Sequence, residues 1–351
     1  MASGSEDFNR WGPKHLSSVD WHNADHRRSV SACLVKGAYV LESDRQETRR
    51  GSECLSPPWW EAFHFKLVYQ LIDGVDNSIF GAIFEYSPPA YTYHRSLDRS
   101  PQYVFAFRGT VKKERSFSRD LDLDLDVIRN GLHESCRFKT AMKAVQDVVS
   151  VVGSSSVWLT GHSLGAAIGM LAGKNMAKRG SFLEAYLFNP PFVSPPIERI
   201  VKDQKVRHGL RFAGTLIKAG LAFAAAAASE SHNNSKGIED SFAVISGWIP
   251  CLFVNPLDPI CAEYIGYFEH RRKLEDMGAG KLARLTSQHS LGNITMNAVG
   301  LKGFENSEPL HLLPSANLTV NLNSTRELSK DHGLNQWWRP DLNLSCRVYK
   351  Y

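Results

Sequence analysis

Apolar residues in the middle of the chain recur in two alternating rhythms. Tyr103–Phe107 and Val157–Thr160 are short, almost wholly apolar runs, as expected of strands buried on both faces, and Phe182–Phe188 and Cys251–Val254 repeat the pattern. Between the first two runs, apolar residues at 138, 141, 142, 145, 148, 149 and 152 trace one face of a helix, which Gly153-Ser154-Ser155-Ser156 ends. Between the second and third, Ala166–Lys178 reads as a helix of small residues, able to lie close against a sheet. Strand and helix thus alternate at βαβ spacing. The pattern predicts a mostly parallel central sheet with helices on both faces.

The flanks are less regular. Residues 1–30 are polar and rich in His, Asp and Arg, and read as an N-terminal extension; residues 31–351 then form one α/β domain. Val30–Leu41 fits a helix or a strand. Pro57-Pro58 breaks the chain before Trp59–Ile72, where the spacing of Phe63, Leu67, Tyr69 and Leu71 predicts a packed helix, with Trp59 and Trp60 as core aromatics. Ile79–Tyr86 is a further strand, and residues 87–101 are a Pro- and Tyr-rich connection. A helical insertion is expected near 196–250, including the alanine-rich stretch Arg211–Ala228; a decorating helix pair is preferred there to a mobile cover over the site. Helix follows again over Ala262–Leu274.

Composition narrows the function classes. A net charge of +5, drawn from 41 basic and 36 acidic residues without a basic block, does not point to nucleic acid. It suits at most peripheral contact with an anionic lipid surface. No run is long and apolar enough to predict a transmembrane segment. The first residues lack the apolar stretch of a secretory signal, and the six cysteines show no C-x-x-C pair, so a cytoplasmic location with reduced thiols is expected despite five N-x-[S/T] triplets. No metal site is expected. His22 and His26 lack an H-E-x-x-H context, and the Asp120–Asp126 alternation lacks the glycine and closing acid of a calcium loop, leaving an acidic solvated face that Arg108 could pair with.

The stretch that carries chemistry is Gly161-His162-Ser163-Leu164-Gly165, set between a buried strand and a small-residue helix. A bare G-x-S-x-G is common. In the order strand, tight turn, helix it is a nucleophile elbow, which lifts a serine hydroxyl above the sheet edge and aims helix N–H groups at an anion forming beside it. A serine needs a base within reach and an acid to orient that base. Asp258, just past the strand Cys251–Val254, follows Ser163, and several histidines follow Asp258, the chain order Ser, acid, His. His162 beside the serine is read as structural and facing away.

Tyr103-Val-Phe-Ala-Phe-Arg-Gly-Thr110, Leu159-Thr-Gly-His-Ser-Leu-Gly-Ala166, Asn189-Pro190 and Asn255-Pro-Leu-Asp258 together resemble the class 3 (fungal-type) lipases of the α/β-hydrolase superfamily. The likeness is closest to plant members, some labelled GDSL esterase/lipase, although this chain has no G-D-S-L box. The resemblance implies an α/β-hydrolase fold, with Ser163 as nucleophile, Asp258 as acid and the backbone N–H groups of Thr110 and Leu164 as oxyanion donors. It places the base shortly before an aromatic pair, often as H-x-x-Y-W. Here His332-Gly-Leu-Asn-Gln-Trp-Trp338 has a longer interval, and His311, in an apolar setting, is the rival; His332 is preferred.

The expected activity is hydrolysis of lipid or small acyl esters through a Ser-His-Asp triad and an acyl-enzyme, with no cofactor. Two alternatives share the scaffold. One is an acyltransferase or thioesterase using the same triad, and the other is a non-catalytic ligand-binding protein.

Overall fold

A computed structural model describes residues 12–88, 99–111, 131–192, 243–276 and 310–351, residues 17, 324 and 326 excepted. Several expectations lie outside the described residues. They are the start of the N-terminal extension, most of the 87–101 connection, the Asp120–Asp126 alternation and the bulk of the 196–250 insertion with Arg211–Ala228.

Among the described residues eight strands form one sheet in sequence order: β1 (Phe65–Ile72), β2 (Ile79–Tyr86), β3 (Tyr103–Phe107), β4 (Val157–His162), β5 (Glu184–Phe188), β6 (Cys251–Val254), β7 (Ala316–Asn321) and β8 (Leu344–Tyr349). Strands β3 to β7 are parallel, and antiparallel strands finish both edges. The two βαβ units read from the hydrophobic pattern are present. Helix α2 (Cys136–Val152) connects β3 to β4 and helix α3 (Leu164–Ala177) connects β4 to β5. Ser135 caps α2, its side chain accepting the Phe138 N–H at 3.2 Å.

Alternation along the strands divides the core between the two faces. Phe105 and Phe107 of β3, with Leu159 and Leu187, pack beneath α2, α3 and helix α4 (Glu263–Asp276). Val104 and Ala106, with Trp158, Tyr186, Phe188 and Phe253, face helix α1 (Ala24–Gln46), the Trp59-Trp60 pair and the Trp337-Trp338 pair. Helices therefore cover both faces, as the α/β-hydrolase architecture requires.

One open expectation is resolved and one needs correction. Val30–Leu41, left open between helix and strand, is the interior of α1, which Asn23 caps by accepting the N–H groups of Asp25 and His26. The boundary drawn at residue 30 falls inside this helix, and Trp21 before it is already buried. Trp59–Ile72 is not one helix. A short 3-10 segment, Trp59–Phe63, ends at His64 with φ of 64°, and the chain then runs as the edge strand β1. Phe65, Leu67, Tyr69 and Leu71 also fit a period of two, and pairing with β2 satisfies the backbone that a lone helix would have satisfied internally. Trp59 and Trp60 are core residues, as expected.

The parallel strands all end at the same edge of the sheet. Their C-terminal extensions bring Arg108–Thr110, Ser163, Asn189 and Asn255–Asp258 to one side of the molecule. That edge is where open α/β sheets carry their chemistry.

Candidate active site

The elbow is built by close approach of backbones. A Cβ at Gly161 would stand 2.4 Å from the Gly165 carbonyl oxygen, and one at Gly165 would stand 2.3 Å from that of Phe107. Neither glycine has a positive φ. The strained residue is the serine itself, with φ of 55° and ψ of −124°, a conformation that costs about 1–3 kcal/mol and survives only where the surroundings enforce it. The Ser163 N–H donates to the Phe188 carbonyl at 3.0 Å, and its carbonyl accepts the first intrahelical bond of α3 from the Ala167 N–H at 3.1 Å. The N–H of Leu164, in the first turn of that helix, has no role in the helical ladder and is available to an anion.

His332 ends the short helix α5 (Leu328–Asp331), and its ring reaches both other expected site residues. Its Nε2 is 3.1 Å from Ser163 Oγ and its Nδ1 is 2.8 Å from Asp258 Oδ2. All three side chains are buried, with Asp258 fully enclosed. Burial pushes the Asp258 carboxyl up, but the His332 ring, the Asn189 amide and the Ile260 N–H together hold it below the ordinary carboxylate range. An ionised Asp258 only accepts, so Nδ1 of His332 carries the proton and Nε2 offers its lone pair to the serine hydroxyl.

His311, the rival, is somewhere else. It lies in an apolar setting with its ring 4.3 Å from that of Phe192, and its Nδ1 has no hydrogen-bond partner among the described residues. Burial, with the Lys174 ammonium adding to it, pushes its pKa down to about 3.

The long interval between His332 and the aromatic pair is taken up by a 3-10 segment, Leu334–Trp338. It delivers the indole N–H of Trp337 to Asn189 Oδ1 at 2.7 Å, while Asn189 Nδ2 donates to Asp258 Oδ2 at 2.7 Å and to the Asp331 carbonyl at 3.2 Å. Asn189 has φ of 46° at the end of β5, and it clamps Asp258, the end of α5 before His332 and the tryptophan together. The Asn189-Pro190 pair was visible in the sequence, but its orienting role was not. Cys261, whose thiol burial raises well above its ordinary value, donates from Sγ to Asp258 Oδ2 at 3.2 Å.

His162 does not face away. Its Nε2 is 2.8 Å from the His332 carbonyl oxygen and its Nδ1 is 2.8 Å from Tyr39 Oη, and the Gly109 N–H donates to that same Oη at 2.8 Å. A carbonyl only accepts, so Nε2 carries the proton and Nδ1 accepts from the Tyr39 hydroxyl. One chain of hydrogen bonds then runs from the end of β3 through Tyr39 and His162 to the backbone of His332. Tyr39 comes from a helix 70 and 123 residues before its partners Gly109 and His162, and no local pattern singled it out.

Arg108 is buried at the end of β3, where its Nη1 donates to the Gly109 carbonyl at 2.6 Å and its Nη2 lies 3.7 Å from Glu42. The acid that it meets among the described residues is on α1; the expected partner stretch, Asp120–Asp126, lies outside them. This pairing fixes the turn that presents Thr110. Thr110 and Ser163 line one cavity of about 250 Å³, which His162 and His332 also border. No group of three or more possible metal ligands occurs among the described residues, and no helix among them is long and apolar enough to cross a membrane.

Known proteins show the same relationship. Residues 104–197 match the family described as lipase (class 3). A relative from Arabidopsis thaliana named a GDSL esterase/lipase is 49% identical over 357 residues, spanning 100% of this chain and 99% of its own length. A solved lipase from Rhizopus microsporus var. chinensis is 19% identical, with 49% of this chain and 60% of that one covered at a TM-score of 0.27. The G-D-S-L label does not extend to the residues here, because the serine sits in Gly161-His162-Ser163-Leu164-Gly165. Motif spacing, sheet order and near full-length identity agree: the chain belongs to the class 3 lipase family of carboxylic ester hydrolases.

Proposed function

We propose that the protein hydrolyses lipid or small acyl esters through Ser163, His332 and Asp258, by way of an acyl-enzyme. The observation that carries this is the unbroken line from Asp258 through the His332 ring to Ser163 Oγ, with contacts of 2.8 and 3.1 Å. His332 Nε2 takes the hydroxyl proton as Ser163 Oγ bonds to the ester carbonyl carbon. Asp258 holds the ring in the required tautomer and stabilises it once charged. The N–H groups of Thr110 and Leu164 receive the oxyanion, a contribution of about 3 kcal/mol per donor.

Collapse of the tetrahedral species breaks the bond to the alcohol, and the proton on His332 leaves with that alcohol. Water then attacks the acyl-enzyme, giving up a proton to His332. The carboxylic acid departs and the Ser163 hydroxyl is restored. Atoms and charge balance without a metal or an organic cofactor. The same first half-reaction would serve an acyltransferase or a thioesterase.

Rapid mixing with excess p-nitrophenyl butyrate tests the reading. The wild type is expected to release a burst of p-nitrophenol and, after acid quench, to carry one butyryl group on the peptide containing Ser163. Ser163→Ala is expected to show neither. Turnover without a serine adduct, or equal turnover by Ser163→Ala, would sink the proposal. Butyryl transfer to added glycerol in preference to water would move the assignment to an acyltransferase.

A further inference from the structure

Lys36 stands on α1, one turn before Tyr39, and lines the cavity that contains Ser163 and His332. Lys36 is half-buried, and that burial pulls its ammonium down from the ordinary lysine value. The acids of its own helix are engaged elsewhere. Asp25 pairs with Arg28, Glu42 with Arg45 and Arg108, and Asp44 with Arg49. No carboxylate lines the cavity among the described residues, and none of them forms an ion pair with Lys36.

An ammonium partly removed from water with no counter-charge among the described residues costs stability, which an apolar residue at the same place would not. A pocket made only for a neutral ester would gain nothing from it. The remaining wall beyond the reacting groups points the same way. Ser329 and Asn335, both exposed at the rim, offer a hydroxyl and an amide to a charged group, and Val111 and Leu334 are the apolar lining. Three donors of this kind around a cavity whose described lining holds no acid match an oxyanion such as a phosphate or a carboxylate.

We infer that the cavity over Ser163 is a subsite for an anion carried by the ester substrate, with Lys36 as its counter-charge. The substrate class is therefore an acyl ester bearing a phosphate or carboxylate close to the scissile bond. The inference rests on the serine-hydrolase reading above and adds the substrate class to it. The anion has two possible sources. It can sit on the alcohol, as in a glycerol phosphate ester, or on the acyl group, as in the half-ester of a dicarboxylic acid.

Two matched pairs of soluble esters separate these sources: 1-butyrylglycerol against 1-butyrylglycerol 3-phosphate, and ethyl butyrate against monoethyl succinate. The readout is the ratio of kcat/KM within each pair for the wild type, Lys36→Met and Lys36→Arg, so that a general loss of activity cancels. The wild type is expected to favour one charged ester by about ten- to a hundred-fold, the size of one charged hydrogen bond. Lys36→Met should bring that ratio near one, Lys36→Arg should keep most of it, and added salt should shrink it in the wild type.

Preference in the first pair identifies a phosphate on the alcohol; preference in the second identifies a carboxylate on the acyl side. A ratio near one in both wild-type pairs, or a preference that survives Lys36→Met, overturns the inference and leaves the hydrolase reading standing. Absence of fluorophosphonate labelling of Ser163 in the wild type would instead overturn the reading beneath it, and this inference with it.

Discussion

Replacing His332 with alanine is expected to lower kcat for p-nitrophenyl butyrate by about 10⁴- to 10⁶-fold, the loss typical when a serine loses its base. His332 Nε2 is the group that meets Ser163 Oγ, and its loss leaves the hydroxyl with nothing positioned to take its proton. His311→Leu is expected to stay within a few-fold of wild type, because its ring packs on Phe192 away from the triad. The same variant should change the response to acid. Burial holds His311 at about 3 in the folded protein, against an unfolded value of about 6.5. Between these values the unfolded chain binds the extra proton, so stability is full above pH 6.5 and is lost as the pH falls toward 3. Urea midpoints measured from pH 7 to pH 4 should therefore fall less steeply for His311→Leu than for the wild type. The opposite activity pattern, with His311→Leu inactive and His332→Ala active, would show that the base has been misassigned.

Gly165→Ala is expected to be nearly as damaging, through the fold. The added carbon would meet the Phe107 carbonyl oxygen at 2.3 Å and that of Arg108 at 2.7 Å. Both are backbone atoms at the end of β3, so no side-chain rotation relieves the clash. Either α3 or the end of β3 must move, and Leu164 in the first turn of α3 and Thr110 just beyond β3 are the two proposed oxyanion donors. A loss of about 3 kcal/mol or more in stability and a fall of at least about a hundred-fold in kcat/KM are expected. Gly266→Ala in α4 is the control. A Cβ there meets nothing within 4 Å, so thermal unfolding should be unchanged or slightly later. Wild-type stability and activity in Gly165→Ala would contradict the packing account of the elbow.

What could be read from the sequence follows from how local each signal is. The strands β3, β4 and β5 and the helices between them were legible because each is a run or stripe whose period survives without long-range information. The elbow was legible for the same reason, since strand, glycine, serine, glycine and helix lie within a dozen residues. Trp59–Ile72 failed because its apolar positions fit periods of two and of about four, and pairing with β2 decided between them. His332 could be preferred only through family likeness, since its distance from Ser163 along the chain carries no geometric information. Tyr39, His162 and Asn189 were illegible as parts of the site. Their contribution is to hold the base and the acid through hydrogen bonds spanning 123, 170 and 69 residues. Such contacts leave no periodicity behind. The glycines of the elbow were legible for the same local reason: they make room for backbones, and the serine bears the strain.

The measurement that tests the central claim most directly is covalent labelling with a fluorophosphonate probe, followed by peptide mapping. The phosphonate binds only a serine that a base has activated and an oxyanion site has received. The account predicts stoichiometric labelling on Ser163 in the wild type, none in Ser163→Ala, and a rate reduced by orders of magnitude in His332→Ala. Failure of the folded wild type to label, or a label on any other serine, would contradict it.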